Sequence, residues 1–116
     1  MRHRKHTFKI GRTSAHRKAL LANQVCSLIE VGQIITSMVK AKETRRLAER
    51  MVTLGKKGTL HHRRLAVSKL RSPDSVKILF ETVAPKFAER LGGYTRIIKI
   101  GARQGDAAEM AILELI

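Results

Sequence analysis

Apolar positions recur along this 116-residue chain with helical spacing in four stretches and with alternate spacing in three. From residue 14 onward, Leu21, Ala22, Val25, Cys26, Leu28 and Ile29 fall within one arc of a helical wheel, the pattern of a helix with a single buried face. Ser14 reads as its N-cap, and Gly32 stands where a left-handed residue would end it. Gln33-Ile34-Ile35-Thr36-Ser37 is short, β-branched and alternating, which predicts a strand. Ser37 then caps a second helix through about Leu54, with Gly55 and Gly58 marking its end. Its apolar arc is Ala41, Thr44, Leu47, Ala48, Met51, Val52 and Leu54.

Thr59 caps a third helix through Leu70, apolar at Leu60, Leu65, Ala66, Val67 and Leu70. Ser72-Pro73-Asp74 combines a cap, a proline at the first helical position and an acid in the first turn, a strong start signal. The helix it opens uses Val76, Leu79, Phe80 and Val83; Pro85 should break or kink it, with Phe87 and Leu91 on the continuation before Gly92-Gly93. Residues 95–100 and 109–115 are both strand-like, and the Gly-rich GARQGDAA between them predicts a hairpin. The expected class is α+β, a two-layer α/β sandwich in the order α-β-α-α-α-β-β. A small mixed three-stranded sheet is covered by helices, with a basic N-terminal arm at 1–13 and a single domain at 14–116.

Charge adds a partner to this picture. The net charge is +15, and the first eighteen residues hold seven Lys or Arg, three His and no carboxylate. Residues 1–58 carry 14 basic and 3 acidic side chains, against 10 and 6 in residues 59–116. Such a charge opposes compaction unless a polyanion screens it, so the partner should be nucleic acid or an anionic membrane. Apolar runs of no more than about five residues, far short of the ~20 of a spanning helix, argue against the membrane. Residues 14–31 read as a core helix and not as a transit leader. The lone Cys26 excludes an internal disulfide and lies in the apolar arc of its helix.

On the second helix, Lys42, Arg46, Arg50 and Lys57 line up opposite the apolar arc, and like charges at i, i+4 repel by a few tenths of a kcal/mol per pair. A basic helical face is ordinarily just a solvated face; in a chain this cationic it reads as a contact surface. His61, His62, Arg63 and Arg64 crowd the start of the third helix, where positive charge opposes the macrodipole. Catalysis has no visible basis: the nine acids are scattered and form no Mg²⁺ cluster. His3 with His6, and His61 with His62, sit among cations that disfavour a metal, and no Gly-Lys-Ser/Thr phosphate loop exists. The expectation is no metal, cofactor or small-molecule substrate. Single-strand readers add aromatic platforms. Here Phe80 and Phe87 read as core, which leaves Phe8 and Tyr94 as the candidates for stacking on bases, so recognition should rest on backbone and shape.

The stretches MRHRK, SAHRKALLANQ, ITSMVKAKETRRLAE, GTLHHRRLA and PKFAERLGGYTRIIKIGARQGDAAEMAILEL, in this order, resemble the bacterial-type large-subunit ribosomal protein seventeen family along essentially the whole chain. The departure is HTF at 6–8, where the family commonly has small residues and Arg. The resemblance implies a structural, non-catalytic component of a bacterial or organellar large subunit. It would lie on the solvent side around the polypeptide exit, bound to rRNA and near other ribosomal proteins, and is not expected to be a homo-oligomer. With the charge pattern, rRNA contacts fall to Arg2, Arg4, Lys5, Lys9, Arg12, Arg17 and Lys18, with His3, His6 and His16 stacking or donating. Lys42, Arg46 and Arg50 join them from the second helix, and Arg63, Arg64, Arg96, Lys99 and Arg103 complete the set. The alternative is a DNA-binding architectural protein or repressor using residues 38–70 as a helix-turn-helix. Against it, the basic stripe lies on the first of those helices, and that motif loads the second.

Overall fold

A computed structural model of the chain describes residues 13–116. Helix α1 (Ser14–Val31) leads into strand β1 (Gln33–Ser37), then helices α2 (Met38–Lys57) and α3 (Leu60–Leu70). A fourth helix, α4, starts as Pro73–Ile78, widens into a π-helical turn at Leu79–Val83 and resumes at Ala84–Lys86. Strands β2 (Thr95–Ala102) and β3 (Glu109–Leu115) close the chain as a hairpin.

Local signals set most of these boundaries. The side chains of Ser37, Thr59 and Ser72 accept the backbone N–H of Lys40, His62 and Ser75, each satisfying a donor that the first turn leaves orphaned. For α1 the cap is Thr13 and not Ser14: Thr13 is the last extended residue, and its Oγ1 accepts from His16 N at 3.3 Å. Gly32, at φ +100°, ends α1 with its N–H donated to Leu28 O at 2.7 Å.

The sheet has the order β1-β3-β2, and both pairings are antiparallel, so it is not the mixed sheet expected. β1 and β2 run the same way; pairing them would have made a mixed sheet, and instead β3 lies between them. β3 suits the centre because it brings the fully buried Ala111 and Leu113. β2 carries Arg96, Lys99 and an irregularity in pairing between Lys99 and Gly101, features that suit an edge.

Helices cover one face of the sheet. The core joins Val25, Leu28 and Ile29 of α1 to Ala41, Ala48, Met51 and Val52 of α2, with Ala66 and Leu70 of α3, Leu79 and Val83 of α4, and Leu113 of β3. Cys26 is half-buried against this core, its Sγ 3.8 Å from Leu70 O. Several side chains depart from expectation. Leu60 and Leu65 are exposed, because α3 buries only Ala66 and Leu70 fully. Leu91 is 98% exposed, because the chain leaves the helix at Lys86 and turns before reaching it. Tyr94 is 4% exposed and packs on Phe87 with ring centroids 5.2 Å apart, while its hydroxyl accepts from Lys56 Nζ at 3.0 Å, so it offers no platform to a base.

Around Pro85 the fourth helix is distorted: a π turn precedes the proline, and the helix ends one residue beyond it, at Lys86. The proline ring would crowd the carbonyl four residues back, and the π turn relieves this by handing the Ala84 N–H to Leu79 O, five residues back. Gly55, expected to end α2, lies inside it and is buried, because a Cβ there would come within 2.8 Å of the Ala84 Cβ. The glycine lets the α2 backbone pack directly against the Ala84 side chain of the fourth helix. Ala84 Cβ is a fixed atom and cannot swing away. Gly55→Ala is therefore expected to lose about 1 kcal/mol net, overpacking of ~1–3 kcal/mol exceeding the helix-propensity gain of ~1 kcal/mol. Thermal denaturation should show the midpoint lowered by several degrees, and an unchanged or raised midpoint would refute the close-approach argument.

Candidate nucleic-acid interface

The buried arc of α2 dictates where its cations go. With Ala41, Thr44, Ala48, Met51 and Val52 turned into the core, the i, i+4, i+8 set Lys42, Arg46 and Arg50 is held on the exposed side. Packing of α1 and α3 against α2 then adds further cations to this surface. A cleft of about 400 Å³ lies between the three helices, lined by Lys18 and Leu21 of α1, Arg46, Leu47 and Arg50 of α2, Ser68 and Lys69 of α3, and Arg71 just beyond it, with Glu43 as its one acid.

Glu43 is 5% exposed and pairs with Arg46 at 3.9 Å. Among the described residues no carboxylate forms an ion pair with Lys18, Arg50, Lys69 or Arg71. Outside the cleft, Arg45 meets Glu49 at 3.6 Å, and the same carboxylate accepts from Thr95 Oγ1 at 2.9 Å. The cleft is thus a cationic concavity with aliphatic side chains in its lining, suited to phosphate oxygens and the sugars beside them.

Arg71 and Lys69 are the residues that sequence reasoning missed. Arg71 caps α3 in the left-handed region, at φ 57° and ψ 23°, and donates its N–H to Val67 O at 2.7 Å. A side chain in that conformation costs about 1 kcal/mol, and glycine is the usual occupant. Nothing in the local pattern marks either residue as part of a cluster, since both reach the cleft only through the packing of α3 on α1 and α2.

The other expected contacts fall in four places. Arg2, His3, Arg4, Lys5, His6, Lys9 and Arg12, together with Phe8, lie outside the described residues. His16, Arg17 and Lys18 occupy the first turn of α1, and only Lys18 lines the cleft. At the start of α3, Arg64 is exposed, whereas Arg63 stands over the ring of the half-buried Phe80 at 5.6 Å, a cation-π contact. His62 Nδ1 lies 2.5 Å from Thr59 Oγ1. Among the described residues no three His, Cys, Asp or Glu side chains gather as a metal site would require.

Arg96 and Lys99 belong to the sheet and Arg103 to its hairpin loop, and none of them joins the cleft. Arg96 pairs with Glu114, its Nε 2.7 Å from Oε1. Arg103 grips Asp106 with Nε and Nη2, and Asp106 also accepts the Ala108 N–H at 3.1 Å, which ties the hairpin loop. The guanidinium holds the Asp106 carboxyl well below the usual carboxylate range, and the carboxylate in turn raises the Arg103 pKa. Lys99 is exposed opposite Ala111.

No described helix is long and apolar enough to cross a membrane. The family model described as ribosomal protein L17 matches residues 20–116. The large ribosomal subunit protein bL17 of Fusobacterium nucleatum is 53% identical over 116 residues, the whole of both chains. That of Alkaliphilus metalliredigens is 56% identical over 108 residues, covering 93% of this chain and 96% of its own. That of Allorhizobium ampelinum is 52% identical over 116 residues, all of this chain and 82% of its own. With this coverage and identity, the chain belongs to the ribosomal protein L17 family.

Proposed function

We propose that the protein is a structural constituent of the large ribosomal subunit that grips folded rRNA in the cleft between α1, α2 and α3, with the basic residues 1–13 as a second point of attachment to the domain of residues 14–116. The observation that carries the cleft is the convergence of Lys18, Arg46, Arg50, Lys69 and Arg71 from separate elements around a single acid. Repulsion within this set, and the left-handed strain at Arg71, are local costs that an external polyanion offsets. The rRNA contacts then comprise Lys18, Lys42, Arg46, Arg50, Lys69 and Arg71 from the domain and Arg2, Arg4, Lys5, Lys9 and Arg12 from the arm. Arg63 and Arg64 contribute at the margin.

Its compartment is the cytoplasmic ribosome, its partners are rRNA and neighbouring ribosomal proteins, and its role is not enzymatic. A charge of +15 on each copy disfavours self-association, so the protein enters the subunit as a single copy. A helix-turn-helix reading finds no support, because the cationic row sits on α2, whose other face is occupied by the core.

Binding of the full chain to its folded rRNA, measured against salt, tests the cleft. The double variant Arg46→Gln/Arg50→Gln should flatten the slope of log K against log salt by about 1.4 to 1.8, since each phosphate contact contributes ~0.7–0.9; an unaltered slope refutes the placement. Arg71→Gly should separate stability from binding: the midpoint of thermal unfolding rises by a few degrees as about 1 kcal/mol of strain is relieved, while rRNA affinity falls. Unchanged affinity would remove Arg71 from the interface. Deletion of residues 2–12 should leave the circular dichroism of the domain intact and sharply reduce occupancy in assembled subunits, an outcome that undiminished occupancy would contradict.

A further inference from the structure

The sheet carries a surface of the opposite character to the cleft. Residues 95–116 hold three cations, Arg96, Lys99 and Arg103, and three carboxylates, Asp106, Glu109 and Glu114, while β1 holds no charged side chain. The whole of the +15 therefore resides outside the sheet and its hairpin loop. Arg96 and Arg103 are moreover already bound to Glu114 and Asp106.

The face of the sheet turned away from the helices is apolar at its centre. Alternation places Ile34, Thr36, Ala111 and Leu113 toward the helices, so Ile35 and Ile112 point outward. Register sets Ile35 opposite Ile112 and Ile112 opposite Ile98, which forms one aliphatic row across all three strands. Ile35 is 64% exposed and Ile98 40%, and Met110 lies one pair further along on the same face. Ile100, in the pairing irregularity beside Gly101, is 48% exposed. The flanking row Gln33, Glu114 and Arg96 is polar but electrically neutral.

We infer that this row is a docking surface for a neighbouring protein of the large subunit, one that lays uncharged aliphatic side chains across Ile35, Ile112 and Ile98. The inference rests on the chain's place in the large subunit. Charge selects the occupant. An rRNA backbone would meet isoleucines there and cations already paired to carboxylates, so phosphates gain nothing and the apolar row gains no apolar partner. A second copy would bring another +15, and the cationic arm would leave its charges over a neutral surface. A protein surface of matching neutrality buries the row without stranding a charge.

Site-specific photo-crosslinking in purified assembled large subunits distinguishes these occupants. Benzoylphenylalanine placed at Ile98 should join the chain to another protein of the subunit, identified by mass spectrometry, while the same probe at Arg46 joins it to rRNA. A position-98 adduct with rRNA, with residues 1–12 of the chain or with a second copy overturns the inference, as does no adduct in subunits that contain the variant. A position-46 adduct with protein alone would count against the rRNA cleft and leave the sheet proposal standing. Should the position-98 probe prevent assembly, Ile35→Thr/Ile98→Thr keeps β propensity while removing apolar surface. The double variant should bind isolated rRNA as the parent does, yet be retained about tenfold less in subunits after a high-salt wash; equal retention overturns the proposal.

Discussion

Burial of one face of α2 is the constraint on which the rest of this structure depends. That helix packs against α1, α3, the fourth helix and every strand of the sheet. Its inner residues, from Met38 through Ala41, Ala48, Met51 and Val52 to Gly55, form the middle of the core. Fully burying an aliphatic side chain is worth ~1.5–3 kcal/mol, whereas each like-charge pair on the outer face costs a few tenths. Packing therefore wins by nearly an order of magnitude and can hold Lys42, Arg46 and Arg50 in a row that α2 alone would not favour.

The same packing decides how α2 meets its neighbours. Gly55 brings α2 against Ala84, and the π turn at Leu79–Val83 lets Pro85 remain in a helical segment at that crossing. Polar side chains inside the fold are also matched. Thr44 Oγ1 donates to Gln24 Oε1 at 2.5 Å and Gln24 Nε2 donates to Thr36 Oγ1 at 3.0 Å, linking α2, α1 and β1. Ser75 Oγ donates to Glu30 Oε1 at 2.8 Å, joining the start of the fourth helix to the end of α1. These bonds tie α1, a wall of the cationic cleft, to α2, β1 and the fourth helix.

Charge is segregated by layer. The helical layer concentrates cations with few acids between them, and the sheet layer is neutral, with its arginines committed to carboxylates in its own strands and loop. The fold thus presents two contrasting faces, a cationic cleft between helices and a neutral aliphatic row on the outer side of the sheet. The division also explains why Arg96 and Arg103, similar in sequence to the other basic residues, do not share their surroundings.

Local chemistry alone determined the helix starts at Ser37, Thr59 and Ser72, the end of α1 at Gly32, the strands at 33–37 and 109–115, and the cationic stripe of α2. Each depends on interactions within a few residues, so the sequence carries them in full. The family resemblance was legible for the same reason, as ordered blocks of residues. Tertiary structure decided what no short window contains. It put β3 at the centre of the sheet, turned Leu60, Leu65 and Leu91 outward and Tyr94 inward, and kept Gly55 inside its helix. It also gathered Lys69 and Arg71 with Lys18, Arg46 and Arg50. A side chain's neighbours across an interface depend on how separate elements pack, and periodicity within one element does not encode that packing.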